Sequence, residues 1–315
     1  MGWIRALRSR AGLLRAASRL LAAGLVVYLA VRLWQLWDRH PIDFHTADAG
    51  GFALCVVTAA AAVTGFGLVW PVILRRLGVN ARPSWVGLWF KSQLGKYLPG
   101  SVWQYAGRVT LGRSRGVPVQ TGLVSIAVEV VASLIAAAVV AALVLPLAFA
   151  FLAWGALGLL CGIAYVLRGG IAGAAERVAA RAPARVDRGT VATGLRSVPV
   201  AGSLYVVGWA LYGTAFWLTA HSLFGVPAAD LLHYAGAFAI AWVAGFAVVF
   251  APGGIGVREA VLVALLGGRL GEAHAIALAA TSRLVLSAVD LGGGAAALAL
   301  PLLHRWGRKP ASAAE

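Results

Sequence analysis

The chain has 315 residues, of which 61% are hydrophobic and only 12% are charged, and its mean hydropathy is +0.84. An ordinary soluble domain carries about a quarter charged residues, so this composition excludes that class and predicts an all-α polytopic bundle of transmembrane helices. The net charge of +16 lies mainly in the N-terminal tail and in certain loops. This is the positive-inside pattern of membrane proteins and not the single basic face of a nucleic-acid binder, so no nucleic-acid partner is expected.

The N-terminal region combines a basic segment with a first apolar span. Residues 1–19 carry five arginines, and the apolar part that follows shows no small-residue cleavage site. An uncleaved anchor therefore fits better than a signal peptide. We expect residues 1–19 to form a cytoplasmic segment, residues 20–305 the integral membrane domain and residues 306–315 a cytoplasmic tail.

About eight spans are predicted along the chain. They cover residues 20–37, 49–74, 119–143, 147–167, 199–220, 234–251, a short 257–268, and 274–303. Basic loops alternate with loops poor in Lys and Arg, which indicates that both termini face the cytoplasm of an inner membrane. The Arg-rich stretch 168–198 is interpreted as a cytoplasmic loop, with a short amphipathic helix on the inner leaflet as the alternative.

Residues 83–108 interrupt the apolar pattern with the stretch "GKYLPGSVWQYAGR". Its apolar and aromatic content is high, but Lys96, Pro99 and Gly100 break any clean span. Both flanking loops favour the cytoplasmic side, which predicts a re-entrant segment that dips into the membrane and returns. Such backbone is tolerated at depth only where protein or a watery cavity supplies its hydrogen bonds. The alternative is an amphipathic surface helix with a Pro-Gly turn.

The stretch "FAPGGIGVREA" (250–260) shows a second break of the same kind. Pro252 ends the preceding helix, because proline lacks the backbone donor that a helix needs. The glycines that follow permit a turn, and a short helix is expected to begin at Arg258 and Glu259. The break residues of this second segment are Pro252, Gly253, Gly254 and Gly256.

The two breaks occupy corresponding places in a possible internal repeat. Glu129 lies 30 residues beyond Pro99, and Arg283 lies 31 residues beyond Pro252. Paired Gly/Pro-interrupted segments in the two halves of a membrane protein indicate a transport site. Chance similarity of two Pro-Gly turns is the alternative.

Three charged residues fall inside predicted spans: Glu129, Arg283 and Asp290. A charge near the bilayer centre costs at least ~2.5–3.5 kcal/mol, so such side chains face the bundle interior and meet a partner or a watery path. One interpretation is a structural salt bridge, for example between Glu129 and Arg283. The other, compatible with it, is a lipid-phosphate site on Arg258 and Arg283 that Glu129 and Glu259 orient.

Four motifs, "LGKYLPGSVWQYAGR", "AVEVV", "PGGIGVREA" and "SRLVLS", together resemble the lysylphosphatidylglycerol synthase transmembrane-region family. This is the flippase-like integral domain of the multiple-peptide-resistance proteins, and the similarity covers about residues 15–305. The resemblance implies an eight-helix-type bundle with re-entrant pieces and a role in handling lipid head groups across the inner membrane. The candidate lipid-binding residues are Lys96, Tyr97, Arg108, Glu129, Arg258, Glu259 and Arg283. The candidate helix-break residues are Pro99, Gly100, Pro252, Gly253, Gly254 and Gly256.

Three functions stay open on the sequence. The first is a translocator of anionic phospholipids or polyprenyl-linked lipids, and the second is a non-catalytic partner of an envelope glycosyltransferase or lipid synthase. The third is a membrane transferase, but no HExxH, DxxD, Gly-x-Ser-x-Gly or P-loop motif supports it. We expect no cofactor and no metal. Family members that transfer aminoacyl groups carry a large soluble synthase domain that this sequence lacks, so we do not expect it to make lysyl-lipid itself.

Overall fold

The computed structural model describes residues 48–97, 103–144, 187–247 and 254–306. Within these ranges every regular element is a helix, as the composition predicts. The eight α-helices are α1 (Ala49–Arg76), α2 (Val86–Gln93), α3 (Trp103–Arg113), α4 (Val119–Val144), α5 (Arg188–Phe224), α6 (Leu231–Ala247), α7 (Val257–Leu270) and α8 (Glu272–Trp306). Short 3-10 turns occupy Pro83–Trp85, Leu94–Tyr97 and Ala228–Asp230.

Five of these helices, α1, α4, α5, α6 and α8, are long and apolar enough to cross a membrane. They coincide with five of the predicted spans. The predicted spans 20–37 and 147–167 lie outside the described residues. The short element predicted at 257–268 is the 14-residue α7. The total of about eight spans therefore stays a prediction, whereas the all-α bundle is confirmed.

Helix α5 begins much earlier than the sequence analysis predicted. The Arg-rich loop was expected to continue to residue 198, but α5 already starts at Arg188. The physical reason is an N-cap: the side chain of Asp187 accepts a hydrogen bond from the backbone N–H of Thr190, at 3.1 Å. The loop interpretation is therefore wrong for residues 188–198. Residues 168–186 lie outside the described part of the chain.

Helix α5 is the centre of the packing and contacts α1, α4 and α6. Small residues permit these contacts, as is usual where membrane helices approach one another closely. A Cβ atom on Gly213 would lie 2.9 Å from the Cα of Ala235 in α6, and one on Gly208 would overlap the ring of Phe66 in α1. The long helices are therefore held at distances that larger side chains would not allow.

The first predicted break appears as two short helices, α2 and α3, and the turn Leu94–Tyr97 after α2. The two helices pack against each other, and α2 also packs against α8. A Cβ on Gly294 of α8 would lie 3.0 Å from the Cγ of Leu94, so the glycines of α8 let this segment approach. The break residues Pro99 and Gly100 lie outside the described residues.

The second predicted break ends at Gly254 and Gly256, just before α7. Both have positive φ, +68° and +86°, which an L side chain rarely adopts. A Cβ on Gly254 would also lie 2.9 Å from the Cα of Gly245 in α6, so glycine is needed there for space as well. Pro252 and Gly253 lie outside the described part of the chain. The turn brings the start of α7 against α6.

Candidate functional site

A cavity of about 380 Å³ lies between the helices, a volume in the usual range of small-molecule sites. Its walls include residues from both broken segments and from the long helices. All seven candidate lipid-binding residues line it: Lys96, Tyr97, Arg108, Glu129, Arg258, Glu259 and Arg283. Gly254 of the second break lines it too. The structure therefore brings residues that are far apart in sequence into one place.

The first ion pair of the cavity joins Arg108 of α3 to Glu129 of α4. One guanidinium nitrogen of Arg108 donates to both carboxylate oxygens. The same carboxylate accepts a hydrogen bond from the indole of Trp89, at 3.2 Å, and Arg108 donates to Ser92 Oγ, at 3.1 Å. The guanidinium also lies over the Trp89 ring, 5.2 Å from its centroid.

The Arg108–Glu129 pair is less accessible to a ligand than the other charged groups of the cavity. The Arg108 side chain is 1% exposed and that of Glu129 is 10% exposed. The pairing of Glu129 with Arg283, given as an example of a structural salt bridge, is wrong. The partner of Glu129 is Arg108, because α3 carries that guanidinium directly against α4. The role of Glu129 in orienting the arginines of a phosphate site stays a prediction.

The second ion pair joins Lys96, in the turn after α2, to Asp290 of α8. The Tyr97 hydroxyl lies 3.5 Å from the same carboxylate oxygen. The Lys96 side chain is 27% exposed, so this pair faces the cavity more openly than the first. Sequence analysis identified Asp290 as a charged residue within a predicted span. The spacing of residues along the chain did not indicate that its partner is Lys96.

The third ion pair joins Glu259 of α7 to Arg283 of α8. Glu259 Oε2 accepts the backbone N–H of Gly256 at 2.6 Å, and Oε1 accepts from Arg283 Nη1 at 2.7 Å. One carboxylate thus caps the first turn of α7 and fixes an arginine of the neighbouring helix. The expectation that Glu259 orients Arg283 agrees with this geometry.

Arg258 differs from the other cations of the cavity. None of the ion pairs within the described residues includes it. Its guanidinium carbon lies 5.5 Å from the centroid of the Phe238 ring, and the Tyr212 hydroxyl is a polar neighbour. Its stem lies against Gly245, where a Cβ would overlap it. The cavity therefore holds one guanidinium whose charge no carboxylate of the described residues pairs.

Corresponding ion pairs support the two breaks as related features. Each break is followed by a short helix and then a long one, α3 and α4 in the first half and α7 and α8 in the second. Arg108 joins α3 to Glu129 of α4, and Glu259 joins α7 to Arg283 of α8. In the first half the short helix carries the cation and the long helix the anion, whereas in the second half the short helix carries the anion and the long helix the cation. The internal repeat stays a prediction.

Uncharged polar residues of the cavity were missed by sequence analysis. Gln93, Tyr105, Tyr205 and Tyr212 line it, but hydropathy does not single out a Tyr or Gln within an apolar segment. Gln93 Oε1 and the Tyr205 hydroxyl are buried and have no hydrogen-bond partner among the described residues. A buried polar atom without a partner is unusual in a folded protein and indicates a missing ligand or water.

A comparison with models of protein families gives a match. The sequence model of the family described as "Lysylphosphatidylglycerol synthase TM region" matches residues 12–292. The comparison with curated proteins gives no match.

Proposed function

Since the chain belongs to the lysylphosphatidylglycerol synthase TM region family, we propose that its cavity binds the head group of an anionic lipid and carries it across the membrane. Membership makes the chain a multi-pass integral membrane protein of lipid metabolism or transport. The lipid class of the proposal is an anionic phospholipid or a polyprenyl-linked lipid. In this proposal the protein lies in the inner membrane and both termini lie in the cytoplasm, as the basic loops predict.

The observation that carries this proposal is the position of Arg258. Burying a charge within a bundle is costly unless a group of opposite charge accompanies it. Within the described residues, the other three cations of the cavity have carboxylate partners and Arg258 has none. A guanidinium presents several donors in a planar fork that matches a phosphate, so a lipid phosphate supplies the missing partner.

Arg283 gives the phosphate a second contact in this proposal. Its side chain is 28% exposed and lines the same cavity. Glu259 already holds it in position by the 2.7 Å hydrogen bond. A head group bound at Arg258 would thus have Arg283 in the same cavity, while its hydrocarbon tails stay in the lipid phase. This arrangement separates the polar and apolar parts of one lipid without exposing charge to hydrocarbon.

A proteoliposome assay tests the proposal. Purified protein is reconstituted with anionic lipids labelled on an acyl chain, and the lipid that reaches the other leaflet is measured by chemical quenching. We expect the wild-type protein to accelerate the exchange and Arg258→Gln to abolish the acceleration. The matched control is Arg269→Gln, because Arg269 is on the same helix, 60% exposed and outside the cavity.

A lack of acceleration with every anionic phospholipid and every polyprenyl-phosphate sugar would contradict translocation. The alternative is a non-catalytic partner of an envelope glycosyltransferase or lipid synthase. It predicts that such an enzyme co-purifies with the chain in stoichiometric amounts while the chain alone moves no lipid. The two functions are separated by measuring both properties on the same preparation.

A further inference from the structure

The charges of the cavity wall do not cancel. Among the described residues the wall has four cationic side chains and three carboxylates, so it carries one net positive charge. All three carboxylates are already in ion pairs. A ligand with one negative charge therefore neutralises the cavity, whereas a dianion leaves an excess negative charge in a site of low dielectric.

The same balance disfavours a head group with an amine. An ammonium group needs an acceptor with negative charge when it leaves water. No carboxylate of the described cavity wall is left for it, since Glu129, Glu259 and Asp290 are each paired with Arg or Lys. A zwitterionic or aminoacylated lipid would bring a second cation beside Arg258. The charge balance therefore favours a ligand whose charged part is a single monoanionic group, and a phosphodiester is such a group.

Two uncharged groups of the wall indicate what the phosphodiester carries. Gln93 Oε1 and the Tyr205 hydroxyl are buried without a hydrogen-bond partner among the described residues, and Tyr205 as a whole is 2% exposed. A carbonyl oxygen only accepts, whereas a phenolic hydroxyl donates and accepts. A ligand hydroxyl satisfies both, and it also satisfies the other orientation of the Gln93 amide. Saturated hydrocarbon satisfies neither.

Tyr205 has different charged neighbours in the cavity from those of Tyr212. Tyr205 is within electrostatic reach of Glu129 and Arg108, whereas Tyr212 is within reach of Arg258. The ring of Phe66 packs against both tyrosines, 5.5 Å from the Tyr205 centroid and 5.4 Å from the Tyr212 centroid. The cavity wall therefore has one tyrosine beside Arg258 and another beside the mutually paired Arg108 and Glu129, and Phe66 contacts both tyrosines.

We propose that the cavity selects a lipid with a monoanionic phosphodiester whose head group is uncharged and hydroxylated, such as a glycerol or a sugar. The phosphate binds at Arg258, and hydroxyls of the head group bind Gln93 and Tyr205. This inference rests on the proposed function, since it concerns the same cavity. It assigns a role in specificity to two residues that the sequence analysis did not single out.

A pair of monoanionic lipids, one with and one without head-group hydroxyls, tests the inference. The full chain in detergent is mixed with phosphatidylglycerol or with phosphatidylmethanol of the same acyl chains, and bound lipid is measured by native mass spectrometry. Both lipids are monoanionic phosphodiesters, but phosphatidylmethanol has no head-group hydroxyl. We expect wild-type protein to prefer phosphatidylglycerol by about tenfold, as one or two hydrogen bonds allow. Phosphatidylethanolamine and dianionic phosphatidic acid are expected to bind more weakly than phosphatidylglycerol.

Two variants test the proposed hydroxyl-binding residues Tyr205 and Gln93. Tyr205→Phe and Gln93→Leu are each expected to lower the preference about threefold while leaving phosphatidylmethanol binding unchanged. Tyr234→Phe is the matched control, because Tyr234 is also buried but lies outside the cavity. A polyprenyl-phosphoryl glucose is measured in parallel. A preference that appears with the glycerol lipid or with the sugar lipid supports the inference and identifies the source of the head group.

Equal binding of phosphatidylglycerol and phosphatidylmethanol, with weak binding of the sugar lipid, would overturn the inference. The same conclusion follows if Tyr205→Phe weakens both lipids equally, since the hydroxyl would then act only on the fold. If both lipids bind equally but lose affinity in Arg258→Gln, anionic head-group binding stands and only the hydroxyl selectivity fails. If neither lipid depends on Arg258, the proposed function itself fails.

Discussion

Glu259 and Arg283 join the start of α7 to the middle of α8 through a 2.7 Å hydrogen bond between Oε1 and Nη1. The other oxygen of Glu259 accepts the backbone N–H of Gly256 at 2.6 Å. A single carboxylate thus stabilises the turn at the second break and holds one arginine of the cavity. The position of Arg258, one residue before Glu259, depends on the same turn.

Replacement of Glu259 separates its two roles. In Glu259→Ala the helix cap and the ion pair are both lost, so we expect a loss of about 1–3 kcal/mol in the free energy of unfolding. Glu259→Gln keeps an oxygen that can cap Gly256 and should therefore lose less. Thermal unfolding of the detergent-solubilised protein measures both. Equal destabilisation by the two variants would show that the cap contributes nothing.

The contact between α2 and α8 requires glycine at one position and tolerates alanine at the next. A Cβ on Gly293 would overlap the ring of Phe90, whereas one on Gly292 would have no neighbour within 4 Å. We expect Gly293→Ala to destabilise the protein by about 1–3 kcal/mol, because packed cores resist extra volume. Gly292→Ala should be neutral or slightly stabilising, because alanine favours the helix. Similar unfolding temperatures for the two variants would contradict this packing.

We predict that the Arg108–Glu129 pair stabilises the folded protein. Removing one partner, as in Arg108→Leu or Glu129→Leu, leaves a buried charge alone and should cost about 3–5 kcal/mol. The double variant removes both charges and should be less unstable than either single variant. A double-mutant cycle on unfolding free energies checks this. Additive losses in the double variant would mean that the two side chains do not interact.

Gly245 controls the position of Arg258 from the facing helix. A Cβ on Gly245 would overlap the stem of Arg258 and lie 3.3 Å from the Cα of Gly254. We expect Gly245→Ala to displace the guanidinium and to lower anionic-lipid binding about tenfold, roughly the contribution of one charged hydrogen bond. Gly268→Ala on α7 is the control, because a Cβ there has no neighbour within 4 Å. Unchanged lipid binding in Gly245→Ala would contradict the role of Arg258 in the lipid site.

Hydropathy predicted the long helices well because a helix in lipid must satisfy all its backbone hydrogen bonds internally and must be apolar throughout. Charged residues within such spans were conspicuous for the same reason, and Glu129, Arg283 and Asp290 all line the cavity. The start of α5 was missed, although Asp187 three residues before Thr190 is an N-cap signal. The Arg-rich composition of the stretch favours a solvated loop, whereas the N-cap signal at Asp187 favours the start of a helix.

The pairing of the charges could not be predicted, because it depends on how separate segments pack. The pair Glu129–Arg283 was one example of a possible salt bridge, but the short helix α3 brings Arg108 to Glu129 instead. The partner of Asp290 is Lys96, almost two hundred residues away. Gln93 and Tyr205 gave no signal, since single uncharged polar residues are common in membrane helices and only the finished packing shows that their polar atoms have no partner.

The most direct test of the account counts the anionic lipids that stay bound to the purified protein. Native mass spectrometry compares wild type with Arg258→Gln and with Arg269→Gln, a charge change of the same size on the same helix and outside the cavity. We predict that one bound anionic lipid is lost in Arg258→Gln and retained in Arg269→Gln. Retention of that lipid in both variants would contradict a phosphate site at Arg258.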